Sequence, residues 1–431
     1  MKEINCNIIK EKAFLERLEN GLEVIIIPKK SVQKKYVIFG THFGSIDNRF
    51  IMPKTHEEVF IPDGVAHFLE HKLFEQPDGT DSLYTMMALG IDANAYTTTD
   101  HTAFLFECTD HFYEGLDELM DYVQHPYFTE KNVEKEKGII GQEIMMYDDD
   151  PGWQLYINAM DCLYKKNPIK IDVAGSIESI SKINPDVLYK CYNTFYNPSN
   201  MVFVACGDFE PEKLLEEIKS RLIKNEGQEK IQRIYPESEF EINKKYVEKE
   251  MPISMPIFMI GYKDKIIYDK KEVVKRHIAI EVLLNMLIGE SSKLYSELYE
   301  NGDLLTVPDF DYEFSEQYAH VLISGPATNP EKIAEELKEK IKEMKKNKID
   351  SKELNRIKKK IYGRYVIEYN EVADVARMFL SDWMKEINSF EYINNFKEIT
   401  SEYVEKILNE VFKEENMVLS VVKGNNLTHE N

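Results

Sequence analysis

Short runs of β-branched and aromatic residues alternate along the chain with longer stretches of helical period. The segments NGLEVIIIPKK and KKYVIFGTHFGS predict strands, broken by Asn-Gly or Gly-Ser. A helical stretch follows from about Asp63. Next come a strand around His101 to Glu107, a helix from His111 to Val123, and another from Glu130 to Met146. A strand, NMVFVACGD, and a helix from Pro211 to Leu222 close this half. Residues 223–248 are polar and charged without a clean helical period, which predicts a partly extended linker. Beyond it, MPIFMIGYK predicts a strand, Glu272 to Leu287 a helix, and AHVLISGPA a strand. Helices near Pro330 to Lys345 and Ser351 to Tyr365 precede a last strand, ENMVLSVVKG.

The second half thus repeats the order of the first, and part of the repeat is visible as similarity. SNMVFVACGD, from Ser199, resembles ENMVLSVVKG, from Glu415. FTEKNVEKEKGI, from Phe128, resembles IDSKELNRIKKKI, from Ile349. Both offsets are close to half the chain, which suggests an internal duplication. The predicted fold class is α+β, with two homologous domains, each a mostly antiparallel sheet packed against helices. The predicted boundaries are 1–222 for the N-terminal domain, 223–248 for the linker and 249–431 for the C-terminal domain.

Composition narrows the function classes. The chain has 431 residues, 43% hydrophobic and 30% charged, values of a soluble globular protein able to bury a core without staples. A net charge of -22 argues against nucleic acid as the main partner, because phosphate binding needs a basic face. The acidity serves solubility or favours basic substrates. The five cysteines are widely spaced, with no C-x-x-C, which fits reduced thiols in the cytoplasm. The N-terminus MKEINCNIIKEKAFLERL mixes charges through its apolar residues and does not read as a signal peptide. No apolar run approaches the roughly 20 residues of a membrane span, so a membrane partner is not expected.

The candidate chemistry lies in GVAHFLEHKLFE, where His67, Glu70 and His71 form H-x-x-E-H. On a helix, residues four apart share a face, so His67 and His71 can hold one ion together. Glu70, one residue before the second His, can reach a metal-bound water without being a ligand. This is H-E-x-x-H reversed, the inverzincin order. Zinc suits two imidazoles and a carboxylate, and a carboxylate can pass a water's proton to a leaving amine. Chance alone would produce the pattern in about one such chain in fifty.

With the downstream segment VEKEKGIIGQEIMMYDDDP, these residues resemble the pitrilysin, or insulinase-like, family of zinc peptidases. In that family a downstream helix supplies a glutamate ligand, and another glutamate lies seven residues before it. Glu143, 72 residues after His71, matches the ligand, and Glu136 matches the glutamate that supports the site. Two helical turns separate them, so both face the same way. The resemblance implies one Zn2+ per chain and counts Glu136 with Glu70 among the catalytic residues. A third match is GIDANAYTTTDHTAFLFE. By resemblance Asn94, Ala95 and Tyr96 lie on a sheet edge that pairs with the substrate backbone. His101 has no partner at ligand spacing and reads as structural. The resemblance covers essentially the whole chain.

The pattern departs from the family in the second half. HIAIEVLLNMLIGESS has a lone His277 and no Glu-His pair, so a single metal site is expected. The family's Arg and Tyr, seven residues apart, help hold substrate and oxyanion from the opposite side of a closed chamber. In SSKLYSELYENGDLLTV their positions are occupied by Tyr299 and Thr306. The resemblance therefore implies a dimer, favouring this chain as the zinc-bearing subunit beside a homologous metal-free subunit that carries the Arg/Tyr pair. A homodimer is the alternative. The expected function is a zinc-dependent endopeptidase hydrolysing short or unfolded peptides in a chamber enclosed by the dimer. The other readings are a non-proteolytic scaffold subunit and a maturation or modification accessory acting on one dedicated peptide or protein.

Overall fold

A computed structural model of the chain describes residues 1–424. The first half contributes strands β1 (Lys2–Cys6), β2 (Glu11–Arg17), β3 (Glu23–Pro28), β4 (Lys35–Thr41), β5 (Arg49–Ile51), β6 (Glu58–Phe60), β7 (Asp92–Thr97), β8 (Thr102–Cys108) and β9 (Met201–Gly207). The second contributes β10 (Gln232–Arg233), β11 (Tyr246–Met251), β12 (Ile257–Lys263), β13 (Asp309–Phe314), β14 (Ala319–Pro326) and β15 (Met417–Gly424). The helices that matter most here are α1 (Val65–Lys72), α2 (Ser82–Ala88), α3 (Phe112–Gln124), α4 (Glu130–Asp148) and α5 (Pro151–Leu163).

Seven strands form one sheet, in the order β1-β2-β3-β9-β4-β8-β7. Five form another, in the order β11-β15-β12-β14-β13. The pairs β3–β9 and β11–β15 are parallel; the other neighbours in both sheets are antiparallel. The run β3-β9-β4-β8-β7 therefore has the same topology, strand for strand, as the whole second sheet. The duplication suggested by two weak sequence matches is present in the fold. The central strands β4 and β9 are buried almost throughout, which explains why they read as near-continuous hydrophobic runs. The segment 223–248 is mostly irregular, but its β10 pairs with β5 in a small sheet completed by β6.

The chain forms two compact units that interleave along the sequence. Unit one comprises Met1–Ile144, Ile171–Tyr235 and Val366–Phe390. Unit two comprises Met145–Lys170, Pro236–Tyr365 and the chain from Glu391. Each sheet is thus covered by a helix from the other half of the sequence. In unit two α5 packs on β12 and β15, and in unit one the helix Val372–Met384 packs on β4 and β9. A glycine admits the helix in each case. A Cβ on Gly40 of β4 would lie 2.6 Å from Leu380 Cδ1 and 3.1 Å from Met384 Cε, and one on Gly261 of β12 would lie 3.1 Å from Leu163 Cδ1. Gly261 follows Gly40, and Met384 follows Leu163, by the same 221 residues that separate Phe128 from Ile349. The halves 1–222 and 249–431 describe chain order. The compact units differ from them because a helix's apolar face carries no address for the sheet that buries it.

In unit one the core is built from sheet residues such as Phe39, Phe104 and Phe106. They pack with Phe68 and Leu69 of α1, Leu116 of α3, and Ile140 and Ile144 of α4. This core locks α1 and α4 in place. The five cysteines are buried, and none is in a disulfide. Among the described residues no helix is long and apolar enough to cross a membrane.

Candidate metal centre

Helix α1 buries Val65, Ala66, Phe68 and Leu69, and this apolar packing fixes the direction of its two histidines. His67 and His71 stand one turn apart, with ring centroids 4.6 Å apart and planes at 62°. Helix α4 supplies the carboxylates. Its first turn is closed by a reciprocal pair: the Thr129 N–H donates to Asn132 Oδ1 (2.7 Å) and the Asn132 N–H to Thr129 Oγ1 (3.2 Å). The buried stripe of α4 runs through Val133, Glu136, Ile140 and Ile144, so Glu136 interrupts an apolar face.

His67 Nε2 lies 3.6 Å from Glu143 Oε1, and His71 Nε2 lies 3.5 Å from Glu143 Oε2. One ligand atom from each of the three residues falls within 4.8 Å of the others. The two separations are long for hydrogen bonds. They match the spacing of about 3.3 Å between atoms that share one tetrahedral ion at bond lengths near 2 Å.

The neighbours of these groups hold them in orientation. Glu136 Oε1 lies 3.1 Å from His71 Nδ1. With a carboxylate there, Nδ1 carries the hydrogen and the Nε2 lone pair is left to face Glu143. The Lys72 ammonium donates to Glu136 Oε2 (3.3 Å) and also to Glu75. Glu70 Oε2 accepts a hydrogen bond from Thr97 Oγ1 at 2.6 Å. Thr97 ends β7 opposite Thr102, whose own hydroxyl donates to the Phe43 carbonyl (2.9 Å). The hydroxyl pair is 3.2 Å apart, so the proton of Thr97 is directed to Glu70.

Burial pushes the His67 imidazole down to about 3, with the His71 charge adding, so His67 is neutral and one ring nitrogen keeps its lone pair. Burial also lowers His71, but the hydrogen bond to Glu136 and the nearby carboxylates outweigh it and raise the group. Burial raises Glu70 against the opposing Thr97 hydrogen bond. Glu143 is raised chiefly by burial, with Asp172 and Glu136 adding. Glu136 would be raised by burial, yet His71 and Lys72 hold it below the usual carboxylate range. Glu70, Glu136 and Glu143 thus face two imidazoles and one ammonium, a negative excess that a dication offsets. The donor set fits zinc: two imidazoles and one carboxylate, with orienting partners behind them.

Asn94, Ala95 and Tyr96 lie on β7, the outer strand of the seven-stranded sheet. Asn94 is exposed and its Oδ1 accepts from the Ala95 N–H (2.8 Å). Tyr96 packs edge-on against His101, with centroids 5.5 Å apart. His101 Nδ1 lies 2.6 Å from Asp100 Oδ1, and His101 is not part of the His67, His71 and Glu143 cluster. Tyr299, on the helix Lys293–Glu300, and Thr306, in the loop that follows, are exposed residues of unit two. Sequence reasoning did not single out Thr97 or Lys72. Lys72 directly follows His71 and Thr97 directly follows Tyr96, but only the fold shows that a hydroxyl and a buried ammonium meet site carboxylates.

Residues 58–175 match the family described as Insulinase (Peptidase family M16), and residues 182–361 match the Peptidase M16 inactive domain. A Bacillus subtilis protein named "Uncharacterized zinc protease YmfH" is 37% identical over 413 residues, 95% of this chain and 96% of that one. Among solved structures, one from Alicyclobacillus acidocaldarius named as an M16-like peptidase aligns with a TM-score of 0.91 at 32% identity. The alignment covers 96% of this chain and 99% of that one. A protease from Helicobacter pylori shares the fold at a TM-score of 0.80 and 20% identity, over 96% of this chain and all of that one. The chain belongs to peptidase family M16, the insulinase family, and matches short bacterial members over nearly their whole length.

Proposed function

We propose that the chain is a zinc-dependent endopeptidase in which His67, His71 and Glu143 hold one zinc ion and Glu70 is the general base. The observation that carries this reading is the convergence of the three ligand atoms within 4.8 Å. Glu70 stands on the same helix, tethered to Thr97. Zinc held there supplies Lewis acidity, polarising the carbonyl to be cut and making a water easier to deprotonate. Glu70 takes the water's proton and delivers it to the leaving amide nitrogen. Its burial makes it a readier proton acceptor than an exposed glutamate. Thr97 binds one Glu70 oxygen and leaves the other for the water. Glu136 acts through His71, holding its ring with Nε2 toward Glu143.

The substrate class follows from β7. Its outward edge can pair with an extended peptide through main-chain hydrogen bonds at any sequence, with Asn94, Ala95 and Tyr96 at the contact. A short or unfolded peptide fits such an edge, whereas a folded domain does not. Tyr299 and Thr306 bring no cation to the developing oxyanion. We therefore assign that task to a second subunit of the same fold, metal-free and carrying an Arg/Tyr pair, which completes an enclosed chamber.

The test is incubation of the purified chain with unstructured peptides, read by mass spectrometry, with Glu70→Gln in parallel. Cleavage by the chain alone that is lost in Glu70→Gln would support the peptidase and replace the second-subunit assignment with a homodimer. A zinc-loaded chain that cuts only after a metal-free relative is added would support the heterodimer. A chain that neither binds zinc nor cuts would sink the proposal in favour of a scaffold role.

A further inference from the structure

Lys72 directly follows the H-x-x-E-H motif, and its side chain is the least expected feature near the site. It is 0% exposed, although a lysine is seldom fully buried without partners. Its ammonium meets two carboxylates, Glu75 on its own side of the site and Glu136 from α4. Glu136 is 7% exposed, so water does not readily serve its oxygens. Both of them are committed to protein donors. Oε1 faces His71 Nδ1 at 3.1 Å, and Oε2 accepts from Lys72 at 3.3 Å. A carboxylate anchored at both oxygens cannot rotate away from His71. Anchored only at Oε1, it would keep one buried oxygen without a partner, an arrangement that costs enough to favour a turned side chain.

We infer that Lys72 is a positioning residue for the metal centre. It clamps Glu136 so that Glu136 fixes the ring of His71 and presents Nε2 toward His67 and Glu143. The inference rests on the reading of His67, His71 and Glu143 as a zinc site. It adds a third link, from an ammonium through a carboxylate to an imidazole. A Met at position 72 would fill much the same volume and lose the clamp. The orienting partners of metal-bound histidines commonly contribute 10- to 100-fold in metal affinity, and a loss of about 10-fold is expected here.

The experiment is zinc affinity of the full chain, measured by competition with a chromogenic chelator, with circular dichroism and thermal melting of each metal-free variant. Lys72→Met is expected to bind zinc about 10-fold more weakly while keeping its secondary structure. The decisive comparison is the same substitution in a Glu136→Gln background. If Lys72 acts through Glu136, the second substitution adds less than about 2-fold. An equal loss in both backgrounds would overturn the inference, because it would mean that Lys72 only supports the local packing. So would unchanged affinity in Lys72→Met. Should Lys72→Met not fold, Lys72→Leu replaces it with the same two expectations, since it too fills apolar volume and offers Glu136 no donor. A wild-type chain that binds no zinc would instead overturn the underlying reading of the site, so the two failures are distinguishable.

Discussion

The two copies of the repeat use the same pair of helices for opposite ends. In the first, α1 and α4 bring two imidazoles and a carboxylate around a common point. In the second, the corresponding helices are Lys270–Leu287 and Ser351–Glu368. Setting His277 against His67 puts Ile280 at the Glu70 position and Glu281 at the His71 position. The offset of 221 puts Ile357 at the Glu136 position and Arg364 at the Glu143 position. The helices still meet at these points, but the contact is an ion pair between Glu281 and Arg364, with Tyr365 Oη donating to Glu281 at 2.5 Å. His277 Nδ1 faces Tyr392 Oη at 3.1 Å. The charges at these positions are paired within the second copy. An arginine at the Glu143 position repels a dication, and an isoleucine at the Glu70 position cannot carry a proton. At these positions the second copy lacks the ligand set of the first, and residues 182–361 match the family's inactive domain.

The sharpest way to break this comparison is to remove the paired positions one copy at a time. Glu143→Ala is expected to abolish zinc binding, and with it hydrolysis, as read by metal analysis of the purified chain. Arg364→Ala, at the matching position, should leave zinc content unchanged and lower stability by about 1 to 2 kcal/mol, because Glu281 stays buried with one donor fewer. Zinc retained in Glu143→Ala would show that the third ligand lies elsewhere. Glu70→Gln is next in size. It should keep the metal while hydrolysis falls by roughly 10²- to 10⁴-fold, the usual contribution of a general base. Thr97→Val should have a smaller effect, about 10-fold on kcat with zinc affinity and KM unchanged, since it frees the base without removing it. A change in KM alone would make Thr97 a substrate contact and remove its role in holding Glu70.

These residues differ in how visible they are along the chain. His67, Glu70 and His71 are legible because one helix must place them, and helical spacing is written in the sequence. Glu143 and Glu136 were reachable only through the family resemblance, since a seven-residue glutamate spacing recurs on many exposed helices. Lys72 and Thr97 gave no signal, because their roles depend on tertiary contacts, the first with α4 and the second with α1. The same limit explains the architecture. The central strands β4, β9, β12 and β15 are nearly continuous apolar runs and were readily read. The edge strand β1 and its neighbour β2 are rich in Lys and Glu and were not. The helices α5 and Val372–Met384 went unread, and no local pattern reveals that each covers the sheet of the other half.

That exchange of helices offers the smallest and most discriminating test. Asp161 and Asp382 both stand eleventh in their 13-residue helices, 221 residues apart. Their surroundings are opposite. Asp161 is partly exposed and accepts from Lys244 at 2.7 Å and Lys170 at 3.2 Å. Burial would raise it, but the two lysines outweigh that and hold it below 3.8. Asp382 is buried, its Oδ2 has no hydrogen-bond partner among the described residues, and burial lifts it from 3.8 to about 6 against Lys385 and Ser389. The signs follow from proton linkage. Between about 4 and 6 the folded chain holds more protons at Asp382 than the unfolded chain does. Stability therefore falls as pH rises through that window, and the cost is complete above about 6. Asp161 behaves in reverse: its contribution is full above its unfolded value and is lost as pH falls through its lower folded value. Asp382→Asn should thus stabilise the chain at pH 7 by about 1 to 2 kcal/mol. That is less than the roughly 3 kcal/mol represented by the lift from 3.8 to about 6, because a buried amide carries its own cost. The gain should shrink toward pH 4. Asp161→Asn should lower stability slightly at pH 7 and have no effect in strong acid. Urea unfolding of the two variants from pH 2 to pH 8 reads both slopes. Slopes of the same sign would mean that the two exchanged helices meet their sheets in equivalent electrostatic surroundings, contrary to the contacts seen here.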